Sequence, residues 1–211
     1  MESQVRGGTR WKRFAVVMVP SVAATACVGV ALAQGALAAS FSVSGQEFKV
    51  TASKLEGKDF VQYGAIDTGY SMSGKKDAAH AVAVSGFSSA DITDMCQSVV
   101  TPDLPLVGTV TLKLTAGSKT PVHAENLYID VNDLDANATF RNIDIGVAAG
   151  ETTKGIHPGD KANPAGFAQQ ADSAVLTDVS QHAWATTAAT FKLSGLHMAL
   201  SSGADECQLV H

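Results

Sequence analysis

Apolar and polar residues alternate with a period of two through much of the chain after Ser40. Such alternation places successive side chains on opposite faces of a strand, so that one face packs on a core and the other meets solvent. The clearest alternating stretches are residues 41–44, 110–114, 127–131, 143–147 and 196–200. No stretch after Ser40 has the apolar spacing of a three-turn amphipathic helix. The pattern predicts an all-β fold: a β-sandwich, a jelly roll or a curved antiparallel sheet.

Weaker strand candidates and turn residues divide the rest of this region. The weaker candidates are residues 48–50, 60–63, 81–84, 175–179 and 184–193. Turns are expected around glycines at residues 55–58, 73–75, 116–118 and 202–204, and a long irregular loop at residues 150–166. Short helical turns are expected at residues 89–97 and 166–173. Together these elements predict one domain, residues 39–211, which is large enough to bury its own core.

The first forty residues have the three-part organisation of an export signal. An uncharged run, residues 14–33, follows a basic segment that contains Arg6, Arg10, Lys12 and Arg13. Ala36 and Ala38 then fit the A-x-A pattern of signal peptidase, which predicts cleavage before Ala39. The sequence therefore predicts a signal peptide at residues 1–38.

The alternative for this segment is an uncleaved transmembrane helix, because the uncharged run is long enough to span a bilayer. The run is rich in alanine and valine rather than leucine, and Pro20 would kink a helix, so cleavage is favoured. In both cases the domain after Ser40 is exported, to the cell envelope or the extracellular space. The N-terminal segment, if uncleaved, is the one predicted attachment to the membrane.

The charge balance excludes general binding to nucleic acid. The whole chain has a net charge of −5. Of its 15 basic residues four precede Ala39, and of its 20 acidic residues one does, which leaves the predicted domain with a net charge of −8. Neutralising phosphates requires clustered lysine and arginine, so no nucleic-acid partner is predicted.

Two cysteines remain after the predicted cleavage site, Cys96 and Cys207. An even number of cysteines outside the cytosol predicts a disulfide between them. The alternative is two free thiols. A metal site is less well supported, because the chain has no C-x-x-C motif and its six histidines lack ligand spacing. No nucleotide or flavin fingerprint is present, so no cofactor is predicted.

Two further motifs partly match known site patterns. Ser71 lies in a Gly-Tyr-Ser-Met-Ser-Gly stretch that approaches a nucleophile elbow, but Ser73 occupies the position where the elbow needs glycine. Acidic residues from Asp133 to Asp144 have partial calcium-loop spacing, but Arg141 would bring a cation to the ninth position. A polar loop and a hairpin with a polar tip are the favoured interpretations.

Three stretches in the first third of the sequence show a family resemblance most clearly. Residues 10–26, then Leu-Ala-Gln-Gly-Ala-Leu-Ala-Ala-Ser-Phe-Ser-Val-Ser-Gly and Phe-Val-Gln-Tyr-Gly-Ala, resemble a family of small exported proteins of filamentous actinobacteria. The family is a domain of unknown function whose members sometimes carry an automatic label of cholesterol esterase. The resemblance covers nearly the whole chain and implies an envelope or extracellular location. It implies no catalytic residue.

The function favoured by these features is a non-enzymatic binding or structural module of the cell envelope. The strands are aliphatic, so a lipid or another apolar small molecule is a candidate ligand, and an envelope protein is a candidate partner. The same features leave two alternatives open. One is a secreted ester hydrolase resembling a cholesterol esterase, and the other is a self-assembling surface subunit with an exposed edge strand.

Overall fold

The computed structural model of the protein describes residues 43–154 and 162–209, apart from the side chain of Asp77. Nine strands account for most of these residues: β1 (Phe48–Tyr70), β2 (Lys76–Thr93), β3 (Met95–Leu104), β4 (Gly108–Ala116), β5 (Val122–Arg141), β6 (Asp144–Ala148), β7 (Phe167–Thr187), β8 (Thr190–Lys192) and β9 (His197–Ser202). One 3₁₀ turn, Ala149–Glu151, follows β6, and the described residues contain no α-helix. The predicted all-β class is confirmed for this part of the chain.

Four long strands form a closed ring of antiparallel pairs. β1 pairs with β2, β2 with β5, β5 with β7, and β7 returns to pair with β1. The shorter strands extend this ring: β3, β4 and β9 continue the sheet from the start of β1, β6 lies beside β7, and β8 lies beside β5. Of the three predicted architectures, the curved antiparallel sheet is the one observed.

β-Bulges give the long strands their curvature. Asp59 in β1 and Asp178 in β7 have positive φ angles of 49° and 53°, and Asp178 lies at a register shift of the β5–β7 ladder, opposite the step from Asp135 to Asn137. The carboxylate of Asp59 accepts a hydrogen bond of 2.7 Å from Ser88 Oγ, and that of Asp178 accepts one of 3.0 Å from Asn137 Nδ2. The register shifts of the β5–β7 ladder are irregularities of the bulge type. Because a bulge bends a strand and increases its twist, they favour the curvature of the closed sheet.

Three expectations from the sequence are wrong. The turn at residues 55–58 does not form, because β1 runs through it without interruption. The helical turns at residues 89–97 and 166–173 are strand, interrupted in the first case only by the bend at Asp94. In the second case β7 begins at Phe167, and its small side chains at Ala168 and Ala171 are fully buried. Pairing along both edges of β7 outweighs the weak local preference of these residues.

The core lies inside and around the ring in two clusters of buried side chains. The larger contains a group of tilted aromatic rings in which Phe60 lies 5.4 Å from Phe87 and 5.1 Å from Phe140, measured between ring centroids. The smaller contains Val61, Tyr63 and Tyr128. A cavity of about 20 Å³ remains between β1, β5 and β7 in the larger cluster. That volume is close to one water molecule, so this part of the core is tightly packed.

The predicted signal peptide and its cleavage residues Ala36, Ala38 and Ala39 lie outside the described residues. Most of the predicted loop at residues 150–166 also lies outside them, and its two described ends are irregular apart from the 3₁₀ turn. No helix among residues 43–154 and 162–209 is long and apolar enough to cross a membrane.

Candidate functional site

A disulfide fastens the C-terminal segment to the sheet. Cys96 in β3 and Cys207 are joined at an S–S distance of 2.01 Å, with their Cα atoms 5.8 Å apart, and the two residues are 111 positions apart in the sequence. This agrees with the pairing predicted from the cysteine count. The Cα separation lies in the ordinary range for disulfides, so the two backbones meet without displacement.

Hydrogen bonds hold the same segment flat against β3 and β4. The hydroxyl of Thr111 donates to the carbonyl of Gly203 at 2.7 Å and accepts from the backbone N–H of Asp205 at 3.0 Å. The N–H of Cys207 donates to Ser98 Oγ at 3.0 Å. Thr111 and Ser98 are almost completely buried, yet their hydroxyls are satisfied by the segment that covers them. One face of the β3–β4–β9 sheet is therefore closed.

An open groove of about 380 Å³ lies beside the disulfide. Its charged residues are engaged: Lys113 Nζ lies 2.7 Å from Asp205 Oδ1, Lys49 Nζ lies 3.7 Å from Glu206 Oε2, and Asp94 Oδ2 accepts a 2.9 Å hydrogen bond from Ser53. In the described part of the chain, no three His, Cys, Asp or Glu side chains are grouped to bind a metal ion. The charged side chains of the groove thus all have partners within the protein.

The opposite face of the same sheet is apolar and open. Leu112 lies directly opposite Leu200, and Leu114 lies opposite Met198. Leu114 packs against the larger core cluster, whereas Met198 and Leu200 are 56% and 75% exposed. The apolar inner face thus continues beyond the core into solvent. We call the exposed part, Leu112, Met198 and Leu200, the β9 face.

β9 is also the last strand of the sheet among the described residues. Natural edge strands are usually protected by lysine, proline or a bulge. Residues His197–Ser202 contain no lysine and no proline, and their pairing with β4 is regular from end to end. An unprotected edge beside an apolar face is the typical arrangement of a sheet that receives a further strand.

Comparison with known proteins places the chain in a family. The model of a family of unknown function, DUF6230, matches residues 44–208. The chain belongs to this family. The match runs from just before β1 to just after Cys207, so the ring, the β9 face and the disulfide are all parts of a DUF6230 domain. No curated protein and no solved structure matches the chain.

Ser71 does not have the surroundings of a nucleophile in this DUF6230 domain. It lies in the turn between β1 and β2, where its Oγ is 2.9 Å from Ser73 Oγ and accepts a 3.1 Å hydrogen bond from the N–H of Lys75. A histidine–carboxylate pair does exist, with His123 Nδ1 2.8 Å from Asp91 Oδ1. That pair lies on the exposed surface of β2 and β5, and no hydroxyl of a described residue is bonded to it.

The acidic stretch from Asp133 to Asp144 is not a hairpin. Asp133 and Asp135 lie within β5, whereas Asp144 begins β6 and accepts a 3.0 Å hydrogen bond from Gln170. β6 pairs with β7 and not with β5, so the carboxylates are directed to different neighbours. The calcium arrangement that the spacing suggested is therefore not assembled.

Sequence reasoning missed a pairing of His80 with Trp184. Their rings are stacked with centroids 3.7 Å apart, beside the smaller core cluster. His80 lies opposite Asp67 in the β1–β2 ladder, and His80 Nε2 and Asp67 Oδ2 are buried without a hydrogen-bond partner. The alternation of residues 81–84 predicts a strand here, but nothing in the local pattern indicates its partner in β7.

Proposed function

We propose that this chain is an exported, non-catalytic binding or structural module of the cell envelope that receives an extended segment of a partner protein on its β9 face. The observation that carries the proposal is the unprotected edge of β9 beside exposed Met198 and Leu200. An added strand would gain main-chain hydrogen bonds from the edge, and its alternate side chains would cover the apolar residues.

Export is supported by the disulfide and the N-terminal sequence. Disulfides persist in oxidising compartments and are rare in the cytosol. The uncharged run at residues 14–33, with its basic flank, is typical of a segment that directs a chain across a membrane.

A binding role at the surface fits the packing of the interior better than a ligand inside it. Pockets for small molecules have volumes of about 300–1,000 Å³. The cavity in the larger core cluster is about 20 Å³, which leaves no room for an acyl chain or a sterol at that place. The hydrolase alternative draws no support from Ser71, whose described partners are Ser73 and Lys75.

Site-specific photo-crosslinking in the native host tests the proposal. A photoreactive amino acid at Leu200 is compared with the same amino acid at Leu134, an exposed leucine on β5. We expect a discrete adduct with a protein of the envelope fraction from position 200 and none from position 134. Equal labelling at both positions, or recovery of the chain in the cytosol with Cys96 and Cys207 reduced, would contradict the proposal.

A further inference from the structure

The free edge of β9 presents a regular set of backbone groups. The N–H of Gly203 donates to the carbonyl of Thr109 at 2.8 Å, in the pair that follows the last one of the β4–β9 ladder. In an antiparallel ladder, hydrogen-bonded pairs alternate with pairs whose N–H and C=O groups point away from each other. Counting back along β9, the N–H and C=O groups of Met198, Leu200 and Ser202 therefore point to the free edge.

These outward groups are complementary to those of an identical strand. A second β9, antiparallel to the first about a two-fold axis at Leu200, places Leu200 opposite Leu200 and Met198 opposite Ser202. Each such pair exchanges two hydrogen bonds, so the three pairs satisfy every outward group of the three residues on both strands. Any other antiparallel register pairs part of this set with residues outside β9.

The side chains fit the same register on both faces of the sheet. On the apolar face Leu200 lies opposite its equivalent, and Leu112 lies beside each copy of it, so four leucines form one row. Leu200 is 75% exposed in the single chain, and it gains apolar contacts in this row. On the other face Ala199 lies opposite Ser201, and both are too small to obstruct the approach of the two backbones.

The β9 edge is also free of the charges that keep copies of this chain apart. The predicted domain has 11 basic and 19 acidic residues, and its net charge of −8 opposes association in general. Residues His197–Ser202 contain no lysine, arginine, aspartate or glutamate. Because like charges that face each other strongly disfavour an interface, an uncharged strand is the electrostatic complement that an identical strand requires.

The opposite edge of the sheet is protected against such pairing. The sheet ends there at β6, which begins with Asp144 and whose ladder with β7 has a register shift between Ile145 and Val147. Charged residues and bulges at an edge block the addition of a strand. Pairing of β9 with β9 therefore closes as a two-fold dimer and does not continue as a fibre of β9 on β6.

We propose that the partner on the β9 face is a second copy of this chain, joined as an antiparallel β9–β9 dimer with Leu200 on the two-fold axis. Because it names the partner of that same face, the dimer rests on the proposed function. Stable interfaces bury about 1,200–2,000 Å². Two strands of six residues, each about 20 Å long, bury less than this, so the dimer is reversible and depends on concentration.

Cysteine substitutions along the edge test both the dimer and its register. Opposite residues of a hydrogen-bonded antiparallel pair have Cα atoms about 5.5 Å apart, within the range of a disulfide, so Leu200→Cys should link two copies directly. Met198→Cys is the matched control, because Met198 is an exposed apolar residue on the same face of the same strand. In the proposed register its two copies are separated by about 13 Å along the strands, which is too far for a disulfide.

The full chain is purified from its native host, with Cys27 replaced by serine so that an uncleaved N-terminal segment adds no thiol. Oxidised glutathione should give at least five-fold more covalent dimer for Leu200→Cys than for Met198→Cys. A mixture of Met198→Cys and Ser202→Cys chains should form a covalent heterodimer, because these residues are opposite each other, whereas Ser202→Cys alone should not dimerise. Retention of the Cys96–Cys207 disulfide verifies the folding of each variant.

Sedimentation velocity over a hundred-fold range of concentration measures the dimer without added cysteines. We expect a reversible monomer–dimer equilibrium for the chain with its own residue at position 200. Leu200→Lys, which brings two ammonium groups together at the axis, should lower the dimer fraction at least ten-fold. Leu134→Lys, the same change at an exposed leucine of β5, should leave the equilibrium unchanged.

Equal linkage of Leu200→Cys and Met198→Cys, a monomer at every concentration, or equal effects of the two lysine substitutions would overturn the β9–β9 dimer. A photoadduct from position 200 with a protein of different mass, in place of a doubled chain, would also overturn it but would leave the proposed function standing. A β9–β9 dimer of a chain that is recovered only in the cytosol would support the dimer and contradict the proposed export. The two proposals therefore fail on different measurements.

Discussion

The backbone N–H of Cys207 donates a hydrogen bond to Ser98 Oγ, 3.0 Å away and two positions along β3 from the disulfide partner of Cys207. The covalent bond and the hydrogen bond thus fix the C-terminal segment to the same strand. Thr111, on the neighbouring strand, is fully buried beneath that segment. Its hydroxyl donates one hydrogen bond to the segment and accepts another from it. The disulfide therefore holds in place the cover over one face of the β3–β4–β9 sheet.

Removing the disulfide should destabilise the domain strongly. Closing a loop of this length removes chain entropy from the unfolded state, for which the loop-closure model gives about 4–5 kcal/mol. We expect Cys96→Ser with Cys207→Ser to lower the free energy of unfolding by about 2–5 kcal/mol in urea titrations. Lys192→Ser, at an exposed residue of β8, leaves the bridge intact. It is the control and should leave the midpoint unchanged. A similar midpoint for the double variant would show that the cover is held by hydrogen bonds alone.

A side chain at position 57 should be tolerated poorly. A Cβ atom at Gly57 would lie 2.2 Å from Cδ1 of Phe87, whose ring is buried against Phe60. Such overpacking costs about 1–3 kcal/mol, so Gly57→Ala should lower the urea midpoint accordingly. Gly64→Ala is the matched control in the same strand, because nothing lies within 4 Å of a Cβ at that position. Equal effects of the two substitutions would refute this role for Gly57.

Alkaline pH should destabilise the fold through Tyr128. Burial, and then the neighbouring Tyr63, raise the pKa of the Tyr128 phenol well above its ordinary value of 10.0. Because the unfolded chain loses this proton at lower pH than the folded chain does, the stability that the neutral phenol contributes is present below pH 10 and falls as the pH rises above it. The free energy of unfolding, measured from pH 8 to 11, should therefore decline more gently for Tyr128→Phe than for the wild type. Identical slopes would count against a buried neutral phenol.

Replacing Leu106 by asparagine should not destabilise the domain, although it exchanges an apolar residue for a polar one. The left-handed backbone costs leucine about 1–2 kcal/mol, and asparagine adopts it more readily. We expect Leu106→Asn to raise the free energy of unfolding by up to about 1 kcal/mol. Val107→Asn, at a neighbouring exposed residue without a positive φ, should give no gain. A loss of stability at position 106 would show that the leucine side chain packs on the protein itself.

The period-two pattern predicts the fold class because it follows directly from how strands bury one face. The same pattern does not predict how long each strand is. Gly57 reads as a turn residue, whereas its missing side chain makes room for Phe87 in a continuous strand. Asp59, with its left-handed backbone, likewise resembles a loop residue, and only the partner strands show that the ladder continues.

Some features of the candidate sites can likewise be predicted from the sequence, and others cannot. The Cys96–Cys207 disulfide is predictable, because in a domain with two cysteines each has only the other as an intramolecular disulfide partner. The alternation of residues 196–200 predicts strand β9 and the face that Met198 and Leu200 share. It does not reveal that β9 lies at an edge, because strand order depends on distant pairings. Leu106 resembles any loop leucine until its backbone angle and exposure are known.

Closure of the ring by β1 and β7 has a consequence for biogenesis. β1 pairs along most of its length with β7, a strand that begins at Phe167, so the ladder is incomplete until that late part of the polypeptide has been delivered. Until then the backbone N–H and C=O groups along one edge of β1 lack their partner strand. A nascent or truncated chain that ends before β7 would therefore be a substrate for chaperones and proteases. For an exported chain, the native state can form only after the whole polypeptide, including β7, has crossed the membrane.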